Sequence, residues 1–184
     1  MPAPFQVTQL LHSARQGNEQ AIAEIWPLVY EELRALARRQ LGRESANPML
    51  QATALVHEAF LKLAGNAATA ENRAHFVAIA ARAMRQVLID EARRRQAQKR
   101  GGGQVHTTLC EGVDAVAVNT EELLLLDGAL DKLEPRQREI IELRFFGGLS
   151  ELEVAELLGI SDRTVRREWV KARAWLYREL YPAQ

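Results

Sequence analysis

Residues Ser150–Tyr177 read SELEVAELLGISDRTVRREWVKARAWLY, and this stretch decides the fold. Ser150 and Glu153 have the S-x-x-E spacing of a capping box, so a helix starts there. Leu152, Ala155, Leu157 and Leu158 give that helix an apolar face. Gly159 stands where a left-handed residue stops a helix, Ile160 can pack under the turn, and Ser161 can cap a second helix. In the second helix Val165, Trp169, Ala172 and Leu176 recur at steps of four, three and four, which makes one buried stripe. The opposite face carries Arg163, Arg166 and Arg167, with Lys171 on its flank. From Arg163 to Arg178 the cations are opposed by Glu168 alone, for a net charge of +5. In a helix–turn–helix the N-terminal residues of the second helix meet base edges in the major groove. The competing reading is a solvated basic face on an ordinary helical hairpin. The glycine turn and the serine caps on both helices favour DNA.

The remainder of the chain decides what kind of DNA-binding protein this is. Its 184 residues suffice for one domain or two small ones. Cations and anions balance at 24 each, so only the distribution of charge is informative. No apolar run approaches the roughly 18 residues that span a bilayer, and the N-terminus lacks the pattern of a signal peptide. Cys110 is the single cysteine, which excludes an internal disulfide and fits a reducing cytoplasm. His12, His57, His75 and His106 show no metal-ligand spacing, and no phosphate loop or nucleophile elbow is present. No catalytic residue, metal or cofactor is therefore expected, and no membrane partner.

No stretch alternates like a strand, so the expected fold is all-α. Val7–Gln16 is a short helix ended by Gly17. Asn18 can cap a helix over Glu19–Leu41, kinked at Pro27. Thr53 can cap a third over Ala54–Leu63, with Leu55, Val56, Phe60 and Leu63 as core or contact residues. After a polar loop, Gly65–Glu71, Asn72 caps a long fourth helix, Arg73–Arg100. Its first half is apolar and its second half, IDEARRRQAQKR, is a charged rod; counted from Arg82, the cations Arg82, Arg85, Arg93, Arg94, Arg95, Lys99 and Arg100 against Asp90 and Glu91 give a net +5. A charged helix end is often merely solvated; continuing from a buried helix, it can also lay a rigid cationic edge along a phosphate backbone. Three consecutive glycines open a linker at Gly101. Beyond it the sign reverses, with a net −6 between Glu111 and Glu134. Whether this acidic stretch folds back on a basic face or is a solvated tether is open at this point. Glu121–Leu133 is an amphipathic helix, Pro135 opens the next, and Gly147-Gly148 closes it. The expected boundaries are a first domain at 5–100, a linker at 101–120 and a second domain at 121–184.

Two helical domains in this order, with ATALVHEAFLKL (Ala52–Leu63), RAHFVAIAARAMRQVLIDEARRR (Arg73–Arg95) and LDKLEPRQREIIELRFFGGLSELEVAELLGISDRTVRREWVKARAWL (Leu130–Leu176), resemble bacterial sigma factors of the extracytoplasmic-function group, group IV of the sigma-70 type. The resemblance implies a non-enzymatic factor that gives core RNA polymerase its promoter choice. The first domain resembles sigma region two, which docks on the β′ clamp helices and melts the minus-ten element. The second resembles region four, which sits on the β flap and reads the minus-thirty-five element. Carried over by position, the core-polymerase residues are Gln51, Thr53, Leu55, Val56, Glu58 and Phe60. The minus-ten residues are Asn66, Asn72, Arg73, Arg82, Arg85, Gln86, Arg93 and Arg94. The minus-thirty-five residues are Ser161, Arg163, Thr164, Arg166, Arg167 and Lys171.

Two departures from the family pattern matter. The region-two motif usually begins D-A-E-D-L-V-Q-E, and here Gln51–Glu58 has lost the three leading carboxylates. Gln86 stands where the family usually has Asn. Thr53 takes the place of the central Glu, and phosphorylation there would add about −1.5 to −2 of charge at a helix N-terminus, where the macrodipole favours it. A serine/threonine kinase is the partner this implies, as in a branch of the group with a similar T-A-L-V-H-E-A segment; an anti-sigma protein is left open. The alternative function is a helix–turn–helix repressor or response-regulator output domain, which leaves Ala52–Arg100 without a role.

Overall fold

The computed structural model describes residues 4–41, 48–63, 69–100 and 120–182. Eight α-helices follow one another without a strand among the described residues: α1 Pro4–Arg15, α2 Glu19–Leu41, α3 Pro48–Leu63, α4 Arg73–Arg100, α5 Thr120–Asp131, α6 Pro135–Ile141, α7 Glu151–Leu158 and α8 Asp162–Leu180. A π-helical turn, Glu142–Phe146, continues α6. The expected linker, apart from Thr120 at the start of α5, lies outside the described residues.

The caps form as their side chains dictate. Asn18 Oδ1 accepts from the Gln20 amide at 3.1 Å and Asn72 Oδ1 from the His75 amide at 2.9 Å. Both amides belong to the first turn, where the helix has no carbonyl to offer them. Helix α2 runs unbroken through Pro27. Helix α3 corrects the expectation at Thr53. It begins at Pro48, in the position where a missing amide hydrogen costs nothing, so Thr53 lies inside the helix and not at its N-cap.

Helices α1 to α4 bury Leu11, Ile25, Leu33, Leu55, Val77 and Met84 in one core. Each such side chain contributes about 1.5–3 kcal/mol of transfer free energy. This core does not stop at the end of α4. Ile140 and Leu143 from α6 and its π turn, Leu149, Val154 from α7 and Val165 from α8 belong to the same apolar cluster. A second, smaller cluster joins Ala129 and Leu130 of α5 and Leu133 just after it to Ile141, Phe146, Ala172 and Leu176. The two halves of the chain therefore pack against each other in this structure.

The seam is tight where α2 meets the turn after α6. Arg39 Nη2 donates to the Phe145 carbonyl at 3.5 Å, and Gln40 Nε2 to the carbonyls of Ala81 and Phe146 at 3.2 and 3.4 Å. Gly148 has φ +68°, and a Cβ there would lie 2.7 Å from Arg39 Nη1 and 3.1 Å from Leu36 Cδ2. Both the backbone angle and the close approach call for glycine.

Candidate nucleic-acid interface

The helix–turn–helix is built as its residues imply. Ser150 Oγ accepts from the Glu153 amide at 3.2 Å while Glu153 Oε2 accepts from the Ser150 amide at 2.8 Å, a reciprocal capping box. Gly159 ends α7 at φ +63°, and the Ile160 amide returns to the Ala155 carbonyl at 3.0 Å. Ser161 Oγ accepts from the Thr164 amide at 3.2 Å and opens α8. Val165, Ala172 and Leu176 are buried and Trp169 is half-buried, so the stripe read from the spacing is the inner face. The Arg144 guanidinium lies over the Trp169 ring, 4.4 Å from its centroid, and fixes the indole from the other side.

This anchoring leaves Ser161, Arg163, Arg166, Arg167 and Lys171 on the exposed face, with Thr164 half-exposed beside them. The cations are held in a graded way. Glu151 receives Arg166 at 3.0 and 2.9 Å through one carboxylate oxygen and Arg144 at 3.2 Å through the other. These bonds hold the Arg166 guanidinium above its ordinary pKa, the hydrogen bond to Glu151 first and its charge second. Glu168 accepts from Gln137 at 3.0 Å and from Arg167 at 3.0 Å, with Lys171 at 3.7 Å. Its carboxyl is held below its ordinary value, chiefly by the Gln137 hydrogen bond. Exposed pairs of this kind are weak and exchange readily for phosphate oxygens.

The cations of α4 have a different setting. Arg85 is buried; its Nη2 reaches Asp127 Oδ1 at 2.5 Å and its Nη1 reaches Glu142 Oε1 at 2.9 Å. Its guanidinium also lies 4.9 Å from the Phe146 ring centroid. Burial pushes the Arg85 pKa down, and the two carboxylates oppose that shift. Arg82 reaches Glu139 at 3.1 Å and Glu142 at 3.2 Å, and Arg93 reaches Asp127 at 3.0 Å. Arg138 bonds Glu142 at 3.0 Å and is held above its ordinary pKa mainly by that bond. Of the cationic edge expected along α4, Arg82, Arg85 and Arg93 are thus paired here with acids of α5, α6 and the π turn, Arg85 buried and the other two partly exposed, while Arg94 and Arg95 pair with Glu91 inside α4.

The other residues carried over from the resemblance separate into distinct environments. Arg94 pairs with Glu91 at 2.7 Å within α4, and Gln86 Nε2 donates to Asp90 at 2.7 Å. Asn72 caps α4, Arg73 reaches Glu32 at 2.6 Å, and Asn66 lies outside the described residues. On α3, Gln51, Leu55 and Val56 are buried, so in this arrangement they hold the helix in place and present no surface to a partner. Thr53 and Glu58 are half-buried, and Phe60 packs against the Trp26 ring at 4.3 Å between centroids. Among the described side chains of that helix, the exposed ones are His57, Leu61 and Lys62.

Asp127 belongs to the acidic stretch whose folding back on a basic face the sequence leaves open, and here it closes on α4; Glu139 and Glu142 lie beyond that stretch, and sequence reasoning does not single them out. The available signal was the matched spacing, Arg82 and Arg85 three apart on one helix and Glu139 and Glu142 three apart on another. A comparison with curated protein sequences returns no match. The capped reader helix, both groups of cations and the shared core all fall within residues 4–181, the span matched by the sequence model of the ECF sigma factor family, and the chain belongs to that family.

Proposed function

We propose that this chain is an alternative sigma factor that binds core RNA polymerase and directs promoter-specific initiation, with α8 reading the minus-thirty-five element and α3–α4 docking on the polymerase and opening the minus-ten element. The observation that carries the reading is the exposed face of α8, where Arg163, Arg166, Arg167 and Lys171 project from a helix capped by Ser161, set by the left-handed Gly159 that ends the capped α7, and held by a buried stripe. Such rigidity is what direct base readout requires of its scaffold. Family membership supports polymerase and promoter DNA as the partners.

Thr53 enters this reading through charge alone. Its place inside α3 removes the helix-dipole contribution, which falls off within the first turn. What supports a phosphorylation switch is the loss of three carboxylates from Gln51–Glu58, which a phosphate at Thr53 would partly replace. Transcription reconstituted from core polymerase and this chain tests the whole. Promoter-dependent transcript from the wild type, loss of promoter binding with retained core binding in Arg166→Ala, and stronger core binding in Thr53→Glu than in Thr53→Ala are expected. Promoter binding without any association with core polymerase would favour a repressor instead.

A further inference from the structure

Arg82 and Arg85 on α4 face Glu139 on α6 and Glu142 on its π turn, and Asp127 from α5 closes on Arg85 and Arg93. A guanidinium fork binds phosphate with the same donors and geometry that it offers a carboxylate. We infer that this packed arrangement is a self-inhibited form, in which the carboxylates of Asp127, Glu139 and Glu142 occupy the places of DNA phosphates on α4. The inference rests on the reading of α4 as a DNA-contacting helix. Nucleic acid and the α5–α6 segment then compete for one set of cations, and α4 is available only after α5 and α6 leave it.

The apolar part of the seam sets how firmly the form is closed. Ile140 and Leu143 enter the core beside α4, and Gly148 sits against Arg39 and Leu36. Separation exposes these side chains, so the closed form is favoured until something binds the open one better. The cations of α8 are outside the seam and exposed. The closed chain therefore leaves the α8 surface outside the seam and holds Arg82, Arg85 and Arg93 of α4 in ion pairs, with Arg85 buried and the other two partly exposed.

The test uses the full chain. Asp127→Asn with Glu139→Arg removes two of the three carboxylates, and Glu24→Gln with Glu31→Arg makes the same change of net charge at exposed positions of α2. Small-angle X-ray scattering reads the size, and titration of a labelled DNA duplex over a range of salt reads the affinity. The seam variant should expand and bind duplex several-fold tighter, with a salt dependence steeper by about two to three released counterions; the α2 variant should do neither. Glu139→Arg alone, at a half-exposed position, repeats the test in a chain whose buried pairs are intact. A seam variant as compact as wild type, or an α2 variant that gains as much affinity, overturns the inference. Expansion and tighter binding in a chain that gives no transcript with core polymerase would keep the closure and overturn the sigma reading.

Discussion

Arg85 and Asp127 lie 42 residues apart in sequence and meet at 2.5 Å, with less than a tenth of either side chain exposed. Removing one member of such a pair in a rigid interior costs about 3–5 kcal/mol, because the other charge stays buried without its partner. Here α5 can lift off α4 and return Arg85 to water, which caps the loss. Asp127→Ala should therefore destabilise by less than that range and should loosen the seam instead. The double change Arg85→Met with Asp127→Leu replaces charge by apolar volume and should be more stable than either single variant. Urea unfolding of Asp127→Ala, of the double variant and of its two single variants, read beside scattering, checks both statements.

Gly148 and Gly159 both adopt positive φ, at +68° and +63°, yet only one is crowded. Nothing lies within 4 Å of a Cβ at Gly159, whereas a Cβ at Gly148 meets the Arg39 guanidinium and Leu36. Gly159→Ala should cost only the left-handed conformation, about 1–2 kcal/mol. Gly148→Ala should cost that plus the displacement of Arg39, and should weaken the contact between α2 and the turn after α6. Equal unfolding midpoints for the two variants would contradict the packing described at the seam.

Glu168 links the reader helix to α6 through Gln137. Because the folded-state pKa of its carboxyl is depressed, the stabilisation it brings is present above the unfolded value and is lost as pH falls through the folded one. The window is thus the acid side of the ordinary carboxylate value of 4.5. Wild type should lose more stability than Glu168→Gln as pH is lowered through that window. Parallel acid-unfolding curves for the two proteins would show that the Gln137 and Arg167 bonds contribute nothing measurable.

The helices and their caps were legible in the sequence because each is fixed by neighbours within one or two turns. Ser150 with Glu153, Asn18, Asn72, Ser161 and Gly159 act on amides and carbonyls a few residues away, so spacing alone locates them. The start of α3 was misread because Thr53 is a good capping residue and Pro48 a good first residue, and local preference does not choose between them. The seam is only partly legible: the reversal of charge before Glu134 allows the acidic stretch to fold back on a basic face but does not say which residues meet. Glu139 and Glu142 lie beyond the acidic stretch that ends at Glu134, and Arg136 and Arg138 beside them cancel their charge. Their meeting with Arg82, Arg85 and Arg93 is a long-range consequence of Ile140 and Leu143 entering the first core. The π turn belongs to the same class: the Gly147 amide reaches the Glu142 carbonyl at 3.0 Å because the chain must bring Phe146 and Gly148 onto α2 and α4.

Arg166 offers the cleanest separation of DNA reading from packing. It is exposed, its guanidinium bonds Glu151, and Glu151 also holds Arg144 against Trp169. Arg166→Ala should weaken duplex binding and leave the unfolding midpoint nearly unchanged. If Arg166 meets a phosphate, affinity should fall uniformly across sequences and the salt slope should drop by about one; if it meets a base edge, the loss should concentrate on one position of the site. Glu151→Gln makes the complementary change. It frees Arg166 from a pair that DNA must otherwise displace, yet removes the anchor of Arg144, so tighter binding should come with lower stability. Competition titrations with duplexes varied one base pair at a time, each at several salt concentrations, distinguish these outcomes. A loss of affinity in Arg166→Ala that matches a loss of helix content would assign the residue to the fold and not to the DNA.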